Sequence, residues 1–337
     1  MTPFFLVLGI LLLLLSIVDL LWTTMWVDGS GGPLSSRLGT WTWRALRRLG
    51  TRDSRTLSLA GPIILTLTLL TWVGLLWVGW MFVFAGHLDA LIDTQSQQPV
   101  TWVGRMYFVA NAMFTMGNGE YSPQPGIWRV AASLTTASGM LFITLAVSYV
   151  LSILGAVNEK RSFAGAVTGL GTGPVDLIRG GWNGKDLRTL DLPLSALATQ
   201  LTTLTVQHKA YPILHYYHSE RATDAAAMAV AILDEALTLL RFGVPEDLRP
   251  NTAIMESARA TIDSHLTALH NAFIEPAAEA PPPPTLAPLS DMGLPTVSED
   301  EFEQSIAGLE ERRRRLRGLV QADAWYWPPI KESSNGS

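Results

Sequence analysis

Three apolar runs, residues 4–26, 59–85 and 127–157, limit what this chain can become. Each is long enough to cross a hydrocarbon core of roughly 30 Å. Inside a bilayer every backbone N–H and C=O must find its partner within the protein, so runs of this kind fold as helices. A fourth segment, residues 101–114, is too short to cross and lies between the second and third runs. It is expected to dip into the membrane and return. The 337 residues leave room beyond the third run for one further small domain. Several of the twelve Trp flank apolar runs, where amphipathic rings favour the interface. With no cysteine there is no disulfide framework and no thiolate metal site, and the redox compartment stays open. The net charge of −5 argues neither for nor against nucleic acid, and no nucleic-acid partner is expected.

Charge sets the direction of each span. A cleaved signal peptide is the rival reading of the first run. However, no basic segment precedes Phe4 and no small-x-small cleavage motif follows, so the run is expected to stay as a span. Its one charge, Asp19, is expected to reach an interface or an arginine. Residues 27–56 carry Arg37, Arg44, Arg47, Arg48, Arg52 and Arg55 against Asp28 and Asp53, which places this loop on the cytoplasmic side. Trp41, Trp43, Leu46 and Leu49 interleave with them. The segment is either a short helix lying on the inner face or a topogenic loop with no other task. The N-terminus is then outside. The second span runs outward to an acidic outer loop with His87, Asp89 and Asp93, and the third runs inward to Glu159, Lys160 and Arg161. The expected location is the plasma membrane, multi-pass, with everything beyond the third span cytoplasmic.

The stretch from Phe114 to Pro123 reads Phe-Thr-Met-Gly-Asn-Gly-Glu-Tyr-Ser-Pro. Gly117 and Gly119 permit backbone angles that other residues avoid. Backbone of that kind is tolerated at membrane depth only where it is buried in protein or lines a watery cavity. Carbonyls turned toward a pore can replace the water around a cation. The run resembles the Thr-Val-Gly-Tyr-Gly-Asp selectivity filter of the potassium-channel superfamily. Pro123 and Gly139 stand near the family's trailing proline and inner-helix hinge glycine. The resemblance covers residues 57 to 157. It implies an outer helix, pore helix, filter loop and inner helix, here with an extra N-terminal transmembrane helix. It also implies stacked ion sites made by the carbonyls of Thr115, Met116, Gly117 and Asn118 with the Thr115 hydroxyl. Glu120 would form an acidic ring at the mouth, and four copies would close the pore.

Asn118 departs from the family's aromatic at that place. Tyr107 and Phe108 stand where the family often has an aromatic pair on the pore helix. Asn111 occupies a position from which a bond to Glu120 is expected. Three outcomes stay open: potassium conduction with weak selectivity, a nearly non-selective monovalent cation pore, or a collapsed filter. A different class is a non-conducting membrane receptor or scaffold. No catalytic residue, resident metal or cofactor is expected, only permeating K⁺ or another monovalent cation. No span carries an Arg or Lys ladder, so a voltage sensor of the usual kind is not expected.

The expected divisions are 1–56, the first helix and basic segment; 57–160, the pore domain; 161–275, a helical cytoplasmic domain; 276–298, a Pro-rich linker; and 299–337, a C-terminal helix and tail. Gly165, Gly169, Gly171 and Gly173 follow a membrane helix rather than a strand, so they read as helix-turn chemistry rather than a phosphate loop. Beyond them, Leu194, Leu197, Leu201 and Leu204 repeat at helical spacing. Helices are also expected from Pro212 to Phe242 and from Thr252 to Ile274, giving an all-α domain with two long antiparallel helices. His215 and His218 would share a helix face, open to metal binding, pH sensing or ordinary packing. Phe302, Ile306, Leu309, Leu316 and Val320 fit an a/d repeat, so a coiled coil at the tetramer axis is expected. The alternatives are a solvated charged helix, or anionic lipid at Arg312, Arg313, Arg314 and Arg315.

Overall fold

A computed structural model describes residues 3–26, 31–49, 54–117, 119–271 and 274–327. The chain is an all-α membrane protein with three helices long and apolar enough to span a bilayer. It divides into two units, 1–42 with 62–153, and 43–61 with 154–337.

The first unit holds α1 (Pro3–Met25), the start of α2 (Pro33–Leu49) and nearly all of α4 (Ala60–Ala85), which follows the short α3 (Ser54–Ser58). It also holds β1 (Leu91–Asp93), α5 (Trp102–Met113), β2 (Tyr121–Pro123) and the first part of α6 (Ile127–Leu170). Between apolar helices in a bilayer there is little hydrophobic drive, and close backbone approach supplies the contact. Here Gly9 of α1 meets α4 at Gly79 and Val83, leaving no room for even a methyl group.

Asp19 explains how α2 is held. It is fully buried, and among the described residues its hydrogen bonds go to backbone, a serine and a tryptophan rather than to an arginine. Its Oδ1 accepts from Leu34 N at 2.7 Å, and its Oδ2 accepts from Ser35 Oγ at 2.5 Å and Trp72 Nε1 at 2.8 Å. The first N–H groups of a helix have no partner within it, and they favour a negative charge. One carboxylate thus caps α2 and ties α1 to α4. Residues 33–49 of the basic segment are therefore a helix whose start is fixed.

In the second unit α6 runs on without a break to Leu170, well past the expected end at Val157, and Phe163, Ala164 and Val167 enter this unit's core. Then come α7 (Pro174–Gly181), α8 (Asp191–Ala210), α9 (Ala226–Thr238), α10 (Thr252–Asn271), α11 (Ala287–Asp291), α12 (Glu299–Ile306) and α13 (Glu310–Ala322). Every residue of α9 is buried, so it is the central element. Alanine-rich sequence permits this, because small side chains let neighbours approach from all sides. The expected helix from Pro212 to Phe242 is not continuous. Pro212–Tyr216 is one 3-10 turn, and α9 starts only at Ala226.

Two further expectations are corrected here. The Pro-rich segment is not a free spacer: Leu286, Leu289 and Leu294 enter the core, and Arg313 Nη2 donates to Pro282 O at 2.7 Å. The a/d repeat is spent inside the chain. Phe302, Ile306 and Leu316 belong to the main core, and Val320 packs with Ala225, Met228 and Ala231. Arg312 pairs with Asp234 at 2.5 Å and with Asp263, and Arg313 with Glu235 at 2.8 Å. Their side chains are only 11% and 6% exposed, so these two do not form a lipid-facing patch. Arg314 and Arg315 stay more open and pair with Glu311.

Candidate functional site

The re-entrant segment begins at Thr101, whose Oγ1 accepts from Gly104 N at 3.2 Å and caps α5. Twelve residues rise only about 18 Å, too short to cross. One face of α5 is buried through Arg105, Phe108, Val109, Asn111 and Met113. Phe108 packs edge-on against Phe84 at 5.3 Å, and Phe84 in turn meets Trp128 at 6.1 Å. The other face leaves Val103, Met106 and Tyr107 exposed in the single chain.

The chain leaves α5 through left-handed backbone. Thr115 has φ 53° and Gly117 φ 80°, with Met116 between them in ordinary backbone. A non-glycine residue in that region is uncommon and tends to mark functional sites. Alternating handedness lets successive carbonyls face one side, unlike a strand, where they alternate. The sequence points to Gly117 and Gly119 for this freedom; the structure shows it at Gly117 and also at Thr115. Asn118 lies outside the described residues. Thr115, Met116, Gly117, Gly119 and Glu120 are all exposed in one chain.

Residues that the sequence did not single out brace this loop. β1 pairs antiparallel with β2, joining Asp93 to Tyr121. Thr94 Oγ1 donates to the carbonyls of Gly119 at 2.9 Å and Glu120 at 3.0 Å, and Thr94 N donates to Glu120 O at 2.8 Å. Asp93 caps the turn by accepting from Gln95 N and Ser96 N at 2.8 and 3.0 Å. Those N–H bonds, Ser96's first, hold its pKa below the usual carboxylate value. Asp-x-x-Ser turn chemistry was readable in advance. The distant strand pairing carries no local signal. Arg105, buried within α5, donates from Nη2 to Leu88 O at 3.4 Å, tying the helix to the outer loop.

The residues expected to support a filter lie around the same loop. Tyr107 packs edge-on to Tyr121 at 6.1 Å, an aromatic contact beside the loop. Asn111 Nδ2 donates to Tyr107 O at 2.9 Å, and Asn111 O accepts from Met116 N at 3.0 Å, so Asn111 shapes the turn out of α5. Gly139 sits against the backbone of Met113, where any side chain would overlap the carbonyl. Next to it, Trp80 Nε1 donates to Ser138 Oγ at 2.9 Å. Gly139 is thus where the inner helix admits the end of α5, and α6 is unbroken there.

His215 and His218 do not share a helix face. His215 ends up with His208, His265, Lys160 and Asp323 around a small cavity of about 20 Å³ in the second unit. Lys160 Nζ donates to Leu214 O and Tyr217 O at 3.1 and 2.9 Å. Burial pushes His215 and His265 down to about 4, with Lys160 also lowering both and Asp323 partly offsetting the effect at His215. Burial, then Lys160, puts His208 well below its ordinary value. These three therefore do not titrate near neutrality. His218 stacks on Trp325 at 5.0 Å, with its Nδ1 3.6 Å from Asp323.

Residues 66–156 match a family model described as an ion channel. The match starts within α4 and ends within α6, so it takes in α5 and the loop with left-handed Thr115 and Gly117. The chain is also 40% identical over 333 residues to the "Uncharacterized membrane protein YdjJ" of Bacillus subtilis (strain 168), which covers 99% of this chain and 97% of that protein. No solved structure matches. Similarity running almost end to end, around a matched pore segment, assigns this chain to the membrane-protein family of YdjJ, with an ion-channel domain at residues 66–156.

Proposed function

We propose that the protein is a tetrameric cation channel that conducts potassium through a filter formed by residues Thr115 to Glu120. The observation that carries this reading is the alternation of left-handed and ordinary backbone at Thr115, Met116 and Gly117. It supports a row of carbonyl oxygens facing one way, the geometry that replaces a cation's water. One chain leaves these residues exposed, together with the Val103, Met106 and Tyr107 face of α5. Irregular backbone at membrane depth needs protein or a water-filled cavity around it, and a closed ring of copies supplies both. The end of α5 brings partial negative charge to the same place, and Glu120 adds a formal one. Gly139 would then serve both as the seat of α5 and as the point where the inner helices splay. The Arg-rich segment before α4 supports a topology with the N-terminus outside and the second unit in the cytoplasm.

A second reading, a weakly selective monovalent cation pore, is favoured by Asn118, which supplies no ring to hold the filter's diameter. Purified protein in planar bilayers under opposed potassium and sodium gradients separates the two. A reversal potential near the potassium equilibrium value supports selectivity, and one near zero supports the second reading. Absence of barium-sensitive current in every condition sinks both, leaving a non-conducting scaffold. Native mass measurement of the detergent-solubilised protein reads the copy number, four being expected.

A further inference from the structure

The second unit contains a cavity of about 410 Å³, a size typical of small-molecule sites. Arg47 of α2 and Leu57 of α3 line it, with Arg317 and Gln321 of α13 and the rings of Trp325 and Trp327. None of the described lining residues is acidic. Arg47 is exposed and lies over the face of Trp43, 5.9 Å away. Arg317 uses Nη1 for the carbonyls of Glu279 and Ala280, both at 3.2 Å. The nearest carboxylate to it, Glu279, is 4.0 Å away and 86% exposed, a solvated pairing of little worth. Two arginines thus line a cavity at which none of the described lining residues is an anion.

The wall is preformed. Trp325 N donates to Val320 O at 2.9 Å, and its ring is stacked on His218. The position along the chain identifies the medium. Leu57 lies three residues before Ala60, where the apolar α4 begins, so a lining residue directly precedes a candidate membrane span in the chain. Trp41 and Tyr326 are 68% and 63% exposed, as suits rings at the headgroup level.

We propose that this cavity binds the phosphate of an anionic lipid, with Arg47 and Arg317 holding the headgroup oxygens and the Trp325–Trp327 segment packing along the glycerol and upper acyl chain. Guanidinium groups suit phosphate because their planar fork matches its oxygens. The exposed Arg44 and Arg48 add attraction to an anionic surface without lining the cavity. The site replaces Arg312 and Arg313, which are spent on buried carboxylates. It needs only that α4 enters a membrane, and it does not depend on ion conduction.

The test uses the full chain solubilised from vesicles of phosphatidylglycerol and phosphatidylcholine, with retained lipid counted by native mass measurement. The expected result is retention of phosphatidylglycerol in preference to phosphatidylcholine. Occupancy should fall about tenfold in Arg47→Gln with Arg317→Gln, and stay unchanged in Arg44→Gln, the scale expected for losing charge-assisted contacts. Arg47 is exposed, so Arg47→Gln alone carries the test if the double variant does not fold. Equal retention in the variant, or equal retention of phosphatidylcholine, overturns the proposal. Displacement of the lipid by millimolar inorganic phosphate also overturns it, since that would mark a soluble-anion site.

Discussion

Acidification should unlock the second unit, and the size of the effect follows from its buried histidines. His208, His215 and His265 come from α8, the Pro212–Tyr216 turn and α10. Thr205 Oγ1 spends its proton on Leu201 O at 2.7 Å, so at His265 Nδ1, 2.9 Å away, it can only accept. His265 therefore carries its proton on Nδ1 and is neutral when folded. Both ring nitrogens of His208 are buried without a partner, beside a cavity that holds about one water. Lys160 reaches the same cavity from α6, and Asp323 is the one carboxylate lining it. Folded values near 4 lie below the unfolded value of 6.5, so the unfolded chain binds more protons as pH falls. Stability is complete above pH 6.5, is lost as pH falls toward 4, and loses nothing further below that. At pH 5 each of His215 and His265 costs about 2 kcal/mol relative to pH 7, or about 4 kcal/mol together. Glu235, which burial holds at about 7, gains about 2 kcal/mol over the same interval, so the net loss of about 2 kcal/mol is a fall of roughly 6 °C in melting temperature for a unit of this size. Thermal unfolding of the purified full chain at pH 7 and pH 5 reads it, and His215→Asn with His265→Gln should abolish the fall whatever it does to absolute stability. An equal slope in wild type and variant, or none in wild type, would refute the assignment of these two residues as buried neutral groups.

Other perturbations test the remaining links. Asp19→Asn removes the charge that caps α2 and receives Trp72 Nε1, and should cost about 3 kcal/mol in detergent melts, because a donor then faces donors. Thr94→Val keeps the shape but deletes the hydroxyl bonds to Gly119 O and Glu120 O. It should change melting by less than about 1.5 kcal/mol while altering single-channel conductance or its decay. Gly139→Ala forces a methyl group into the Met113 carbonyl. It should destabilise by about 1–3 kcal/mol and abolish current, and normal current in that variant would show that α5 has no fixed seat there. Arg313→Met strips the partner from Glu235, which burial already pushes up to about 7. A loss of about 3–5 kcal/mol at pH 8, easing at pH 6 where Glu235 is protonated, is expected in denaturant melts.

The membrane half was legible because its physics is local or nearly so. A run of apolar residues must be a helix in lipid, a short run must turn back, and a Gly-x-Gly between them must serve something other than lipid. Those arguments located α1, α4, α5, the loop and α6 before any coordinates. They missed what closes over long sequence distances. Asp19 looked like a terminal charge because its partners, Leu34, Ser35 and Trp72, are brought to it only by folding. Thr94 carries no local signal, because its acceptors lie beyond the whole of α5.

The second unit was misread for a different reason. Periodicity names the face of a helix that will be buried, but it does not say what buries it. The repeat from Phe302 to Val320 has the spacing of a seam between copies, and it is equally the spacing of one helix lying on a core. Charge decides between the two. Residues flanking a seam between copies keep their charges in water, whereas Arg312 and Arg313 are matched by Asp234 and Glu235, adjacent acids on the wholly buried α9. Two neighbouring acids inside an otherwise alanine-rich apolar helix require basic partners from the same molecule, since burying them unpaired would cost several kcal/mol each. That pairing was written in Asp234-Glu235 and the Arg312–Arg315 run from the start. The C-terminal helix therefore belongs to the core of its own chain, and the assembly proposed above would have to be held at α5, α6 and the loop between them, where one chain leaves apolar side chains open.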